Sequence, residues 1–367
     1  MSVEQPLKIL VLDGLHRAAG ARFAPFAGWA MPTRYRAIKD EHMAVRTAAG
    51  LFDVSHMGEV FVRGKDALEA VNRLVTNDIQ RIGNGRAQYT LMCYPDGGVV
   101  DDLIVYRLSD EEVLICVNAS NRAKDVAWIT EHITGDVVVT DESDDFVQLA
   151  LQGPAAVGIG TALYPSLSPL GPFDIARFDD IAPGCLVART GYTGEDGFEF
   201  YIPVGHAERI ATALLEAGRA HALQWVGLAA RDSLRLEARL PLYGHELSDA
   251  INPFEAGLSW VVRLQKDDFV GKDALATIKD AGPARRSRGL ILEDRGMLRE
   301  GYDVVVDGNV VGTTTSGSVA FAVGEPSVAL ALIDADHCNA ERVGVSIRGK
   351  VLTARVTTAP FYKRSDA

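Results

Sequence analysis

The chain is short of cysteine, of basic residues and of long apolar runs. Its four cysteines, Cys93, Cys116, Cys185 and Cys338, are scattered through 367 residues with no Cys-x-x-Cys pair. That spacing supports neither a disulfide framework nor a zinc site, and predicts reduced, buried thiols. No stretch reaches the apolar length of about 18 residues that a membrane-spanning helix needs. Residues 1–6 lack the basic and apolar regions of a secretory signal and the Arg/Ser-rich character of an organellar transit segment, so a cytoplasmic protein is expected. Acidic residues outnumber basic ones, 49 to 37, for a formal charge of −12. An acidic chain with no basic run is a poor partner for nucleic acid or an anionic membrane, and neither is expected. What is present is an ordinary globular composition, 47% hydrophobic and 23% charged, long enough for two or three domains with real cores.

Strand and helix patterns alternate without a regular βαβ period. Residues 34–48 read as a helix, with Ile38, His42 and Val45 along one face, and 66–75 as another, with Leu68, Val71, Leu74 and Val75 inward. Residues 88–94, 99–108 and 113–118 read as strands joined by short turns, and 119–132 as a helix. Residues 52–140 are therefore expected to form a compact β-α-β-β-β-α unit. Further strands are expected at 146–151, 185–189 and 199–202, and helices at 205–221 and 226–239. Beyond Pro253 the pattern changes to short strands at 290–292, 303–306, 310–314, 327–333, 342–347 and 351–357, with Asp307-Gly308-Asn309 as a tight turn. Residues 282–288 are the linker candidate before this all-β part.

Residues 97–105, Gly-Gly-Val-Val-Asp-Asp-Leu-Ile-Val, hold the most informative pair, Asp101 and Asp102. The run is a strand after a turn cluster at 95–98. Alternation puts Asp102 with Val100, Ile104 and Tyr106, and Asp101 with Val99, Leu103 and Val105. Both faces are apolar, so at least one carboxylate is expected in a poorly solvated place, where it needs a partner or a raised pKa. A strand acid beside a turn can also cap the turn, sit on an edge, or pair with Arg107 or Arg122.

Residues 189–201 carry glycines at 191, 194 and 197, which suit left-handed turns or close backbone approach. The spacing matches neither a phosphate loop nor a dinucleotide fingerprint, and an ordinary glycine-rich turn explains it equally well. Glu199 follows, between Phe198 and Phe200 and facing away from both. Its carboxylate suits a ligand with two adjacent N–H donors, such as the edge of a pterin or purine. Arg231 and Arg235 lie i,i+4 on one helical face; internal pairing with Asp232 or Glu237 competes with capture of an anionic group. His56 has no partner spaced for acid–base work and reads as structural. Tyr89, Tyr94, Tyr106 and Tyr192 can stack on a flat heterocycle, or serve as core or hydroxyl-anchored tyrosines.

Taken together, several segments resemble the aminomethyltransferase, or T-protein, family of the glycine cleavage system. They are residues 28–32 (GWAMP), 52–58 (FDVSHMG), 76–78 (TND), 97–105, 189–199, 230–237 (ARDSLRLE) and 252–260 (NPFEAGLSW). The resemblance runs in order from about residue 13 to Tyr362. It implies an α+β fold of three domains in a clover leaf around a central folate-binding hole, with a C-terminal β-barrel-like domain. The implied domains are 1–51 with 141–250, an inserted ferredoxin-like 52–140, a connecting 251–288, and an all-β 289–367. The implied reaction passes a methylene from an aminomethyl-dihydrolipoyl carrier, the H-protein, to tetrahydrofolate, with ammonia released and no metal involved. Residue by residue, the resemblance makes Asp102 catalytic and Glu199, Arg231, Tyr89, Asn118, Tyr192 and Met57 folate-binding. Arg34, Arg36 and Lys39 are a candidate docking group for an acidic carrier, or simply a solvated face. A monomer or weak dimer is expected. The alternative is a related folate-dependent methyl or methylene transferase or demethylase acting on a small methylated compound. Flavin-linked relatives need a dinucleotide-binding domain not seen in this sequence. Iron–sulfur-assembly relatives carry a cysteine in the segment matched by residues 191–193, where this chain has none.

Overall fold

A computed structural model describes residues 6–364. The chain packs as two compact units: residues up to Leu68 with Ile82–Gln88 and Ile104–Asp232, and Glu69–Arg81 with Tyr89–Leu103 and everything from Ser233 on.

In the first unit a six-stranded sheet runs in the order Ile175–Arg177, Leu186–Ala188, Gly197–Pro203, Phe146–Gln152, Gly50–Asp53, Gln224–Trp225. Its central antiparallel pair, Phe146–Gln152 with Gly197–Pro203, alternates strictly. Val147, Leu149 and Leu151, with Phe198, Phe200 and Ile202, enter a core closed by helices Ala156–Leu163 and Ala207–Ala217. Gln148, Glu199 and Tyr201 point the other way, because side chains in a strand repeat every two residues. That second face meets Phe61, Tyr106, Leu114 and Cys116 in a separate buried cluster. These four come from a five-stranded sheet in the order Arg86–Cys93, Val99–Arg107, Glu112–Val117, Gly58–Arg63, Val138–Asp141.

The second unit holds the closed barrel expected at the C-terminus: Arg285–Leu292, Ser327–Asp334, Asn309–Val319, Asp303–Val306, Arg342–Ile347 and Lys350–Thr357, returning to the first strand. Leu290, Val304, Ala329, Ala331, Ile333, Val345 and Ala354 fill it. A second core in this unit packs Leu91, Cys93 and Val99 against Leu247, Phe254, Val261, Phe269 and Leu275.

Several boundaries differ from expectation. The first long helix is Ile38–Thr47, shorter than 34–48, because Trp29–Arg34 is a strand. The expected helix at 205–221 is Ala207–Ala217 between two 3-10 turns. Residues 285–288 are not linker. They begin the first barrel strand, in register with 331–334, and Arg285 pairs with Glu255 at 2.8 Å. Three arginines in four residues look like a solvated connector, yet on a barrel strand two of them reach acceptors: besides Arg285, Arg288 Nε donates to the carbonyl of Cys338 at 2.7 Å. The four cysteines are buried and free of disulfides.

Candidate active site

Both strand acids are buried, Asp101 fully and Asp102 to 9% exposure. The turn before them explains how they are presented. Gly97 has φ +91°, and a Cβ on Gly98 would lie 1.9 Å from the carbonyl oxygen of Asp249. Only glycine permits that approach, which lets the amide of Val99 donate to the carbonyls of Ser248 and Ile251 at 3.0 and 3.2 Å. The Tyr243 hydroxyl donates to the carbonyl of Val99 at 3.1 Å. Asp102 Oδ2 accepts the hydroxyl proton of Tyr89 at 2.9 Å. Tyr89 is half-buried, stacks on Trp260 at 5.8 Å, and accepts Asn77 Nδ2 on its carbonyl at 3.0 Å. Alternation along Val99–Arg107 keeps Asp102 on the face of Ile104 and Tyr106.

In the first unit, Glu199 is 8% exposed and sits in a hydrogen-bonded set built by register. Gln148 is directly opposite Tyr201, one step along from the Ala150–Glu199 pair. Its Nε2 donates to Glu199 Oε1 at 3.3 Å and to the Tyr201 hydroxyl at 3.2 Å. Tyr201 donates to Tyr106 at 2.8 Å, Tyr106 meets Thr190 Oγ1 at 3.2 Å, and Thr190 donates to Glu199 Oε2. Burial pushes the Glu199 carboxyl above its ordinary range, while Thr190, the Arg231 charge and Gln148 pull it back. Arg231, half-buried, lies over the Tyr192 ring at 4.7 Å. Burial lowers its guanidinium from the usual range and Glu199 opposes that.

The segment 53–58 is held from below. Asp53 takes His16 Nε2 at 2.8 Å and the amide and hydroxyl of Ser55 at 3.0 and 2.6 Å. That fixes the turn carrying His56 and Met57. His56 is buried against Phe26, and its Nδ1 has no hydrogen-bond partner among the described residues. Burial and the Arg231 charge push its pKa down to about 3, so it is neutral. Met57 is half-buried beside Phe61, Tyr106 and Cys116. Asn118, also half-buried, lies one step beyond the Gly58–Val117 pair, at the same strand end as Met57.

Of the residues expected to bind, Glu199, Arg231 and Tyr192 thus come together. Arg235 parts from Arg231: it is buried and bonded to Glu246 at 2.7 Å and Ser316 at 2.9 Å. The glycines at 191 and 197 serve close packing: a Cβ on either would strike Gln152 Oε1 or the carbonyl of Leu151. Gly194 supplies a positive φ of 83°. A left-handed turn at Gly194 and close packing at Gly191 and Gly197 therefore account for the three glycines. Sequence reasoning missed Gln148, Thr190, Tyr201 and Glu59. Gln148 stands as a lone polar residue in an apolar strand, the one signal that pointed to it. Glu59 is 1% exposed, neither oxygen has a partner among the described residues, and burial keeps its carboxyl well above the ordinary range. The described residues hold no His/Cys/Asp/Glu group arranged for a metal ion and no helix long and apolar enough to cross a membrane.

The geometry is a buried, donor-fed carboxylate with a stacked guanidinium in one unit, and a buried strand aspartate anchored by a tyrosine in the other. Comparison with known proteins gives the family. The GCVT N-terminal domain matches residues 12–266, and the glycine cleavage T-protein C-terminal barrel domain matches 285–363. An aminomethyltransferase of Geobacillus kaustophilus is 47% identical over 363 residues, covering 98% of this chain and all of that protein. One from Moorella thermoacetica is 49% identical over 361 residues, covering 98% of each. The crystal structure of glycine cleavage system aminomethyltransferase T from Bartonella henselae superposes with a TM-score of 0.91 at 34% identity, over 97% of this chain and 98% of that one. The chain therefore belongs to the aminomethyltransferases of the glycine cleavage system, the T-protein family, and is a one-carbon group transferase.

Proposed function

We propose that the co-substrate is tetrahydrofolate and the donor an aminomethylated lipoyl H-protein. In the reaction, folate N5 displaces ammonia from the S-bound methylene carbon, N10 displaces the dihydrolipoyl sulfur, and 5,10-methylenetetrahydrofolate leaves. An iminium-like methylene on N5 is a natural intermediate, since the carbon starts between nitrogen and sulfur. Ionised Asp102 accepts the hydrogen bond of N10–H, stabilises positive charge developing across N5, the methylene and N10, and relays the proton lost on ring closure. The donated hydrogen bond from Tyr89 holds its carboxylate in one rotamer. Positioning supplies much of the rate, because both nucleophilic nitrogens belong to one bound molecule.

The observation that carries this reading is Glu199: a buried carboxylate with one hydrogen bond on each oxygen from its own chain. It retains acceptor capacity on both oxygens, which suits the N3–H and 2-amino group of a pterin. Arg231 over Tyr192, with Met57 and Asn118, lines the same unit and is assigned to folate contact. No metal takes part in the proposed steps. The exposed Arg34, Arg36 and Lys39 are the candidate surface for an acidic carrier, and the protein works in the cytoplasm as a monomer or weak dimer. The chain's division into residues 1–51 with 141–250, 52–140, and a connecting segment from 251 before the all-β part, whose barrel begins at Arg285, belongs to the same reading.

The test is turnover with tetrahydrofolate, formaldehyde, ammonia and lipoylated carrier. Carrier-dependent turnover is expected. Asp102→Asn should keep folate binding and lose turnover about 10²-fold or more, whereas Glu199→Gln should weaken folate binding more than it slows bound-state chemistry. Near-normal turnover in Asp102→Asn, or unchanged folate affinity in Glu199→Gln, removes the respective assignment.

A further inference from the structure

We infer that Gln148, Tyr201, Tyr106 and Thr190 form a one-directional hydrogen-bond ring that positions the Glu199 carboxylate and leaves one acceptor site on each oxygen, so that the pocket selects a ligand edge with two parallel N–H donors. The inference rests on the proposed folate role of Glu199 and names the residues that make that role possible.

The direction follows from donor and acceptor capacity. The Gln148 amide oxygen is turned toward the Cys116 thiol at 3.9 Å, so both amide protons are on the ring side, one for Glu199 Oε1 and one for the Tyr201 oxygen. Tyr201 already accepts, and its single proton goes to Tyr106 at 2.8 Å. Tyr106 in turn has its proton for Thr190, and Thr190 has its own for Glu199 Oε2. Within the ring each hydroxyl gives once and receives once, and the Tyr201 hydroxyl also lies in hydrogen-bonding contact with the Cys116 thiol. Only Glu199 receives twice within the ring and gives nothing to it, the pattern of a carboxylate. Reversing the ring to suit a protonated Glu199 would aim the Tyr201 proton at the Gln148 NH2, which has no lone pair to offer. The ring therefore closes in one sense.

An ionised carboxylate offers about four lone-pair sites. The ring uses two, one per oxygen, and fixes the carboxylate plane through residues on three strands and the glycine-rich turn. What is left is one site on each oxygen, side by side. Two N–H donors in a row satisfy both; a ligand with one donor leaves a buried acceptor unmet.

The charged and titratable groups that face Glu199 come from every element packed on it. Arg231, from helix Leu228–Glu237, favours the ionised form. Glu59, on Gly58–Arg63, opposes it when ionised, and burial holds the Glu59 carboxyl well above the ordinary range. Cys116, Tyr106 and Tyr201 are held neutral by burial. The ring and Arg231 oppose the desolvation of Glu199, which still leaves its carboxyl above the ordinary range.

The experiment is calorimetric titration of the full chain with tetrahydrofolate, without oxygen, from pH 5.5 to 8.5. The variants are Thr190→Val, Thr190→Ser, Tyr201→Phe and Glu199→Gln. Removing a donor from the ring makes Glu199 easier to protonate, so its acid limb of binding should move to higher pH. Thr190→Val and Tyr201→Phe are expected to weaken binding about tenfold at pH 7 and to shift that limb upward. Thr190→Ser, which keeps the hydroxyl, should restore both. In turnover, KM should carry most of the loss and kcat little. A partly misfolded variant lowers the binding stoichiometry without moving the limb, so the two effects separate, and Tyr201→Phe repeats the test on a different strand. If Thr190→Val and Tyr201→Phe bind with wild-type affinity and pH profile while Glu199→Gln does not, the ring inference is overturned and the folate role of Glu199 stands. If Glu199→Gln binds as the wild type does, that role falls and takes the ring with it.

Discussion

Glu59 and Glu199 are buried in the same unit, and burial raises both carboxyls, Glu59 well above the ordinary range. Glu199 has two donors and the Arg231 guanidinium nearby; neither oxygen of Glu59 has a donor among the described residues, and burial together with the acid groups of Asp141, Asp144 and Glu199 outweighs the downward pull of the Arg122 charge. The consequence for stability has a definite sign. The folded-state pKa of Glu59 is above its unfolded value, so its contribution is complete below the unfolded pKa of about 4.3 and declines as pH rises toward the folded one. Within that window the cost is about 1.4 kcal/mol per pH unit. Glu59→Gln removes this slope. Chemical denaturation is expected to show the variant gaining on the wild type steadily from pH 5 to pH 7, with the smallest difference near pH 4. A difference independent of pH would mean that Glu59 stays ionised. The two opening aspartates show the limit of single-residue reasoning. Their alternation on the strand was legible, as was the burial of at least one. That both are buried, and that Asp102 is anchored by a tyrosine thirteen residues earlier in the chain, needed the partner strand.

At the level of elements, turns and helix ends did more than propensity to aim the functional side chains. The strand Val99–Arg107 is entered through Gly98, whose missing Cβ lets the 248–251 backbone approach. Gly98→Ala is expected to cost about 1–3 kcal/mol, since the obstacle is backbone rather than a flexible side chain. The melting temperature should fall by several degrees and activity with it, because Asp102 rides on this strand. Gly83→Ala, where a Cβ would meet nothing within 4 Å, is the control and should melt as the wild type does. Helix ends follow the same rule. The Lys266 ammonium is buried and donates to the carbonyls of Asn72, Val75 and Asn77, closing the C-terminal end of helix Ala67–Leu74. A lysine nearly two hundred residues away is invisible to a local reading, which is why the helix at 66–75 was legible and its cap was not. The linker reading of 285–288 failed for a related reason: arginines look solvated until distant acceptors, Glu255 for Arg285 and the Cys338 carbonyl for Arg288, are packed beside the strand.

For the whole molecule, the formal charge of −12 is the one property that acts without reference to any site. Like charge at this density opposes compaction, and salt screens it over a Debye length of about 8 Å at physiological strength. Raising sodium chloride from low to physiological concentration at pH 7 should therefore raise the melting temperature slightly, by on the order of 1 kcal/mol in stability or less. A fall would show that screened ion pairs, such as Arg122 with Asp141 and Asp144, outweigh the net repulsion. The sequence by itself determined the class of fold, the positions of most strands and helices, the C-terminal all-β part and the family, because these depend on periodicities and motifs that are local in the chain. It also singled out Glu199 and the aspartate pair as chemically unusual. Only the tertiary structure decided which groups surround them. Hydrogen bonds and charge effects reach across strands whose register no local pattern specifies, so the ring around Glu199, the donor-less burial of Glu59 and the separate fates of Arg231 and Arg235 emerge only once distant segments are packed together.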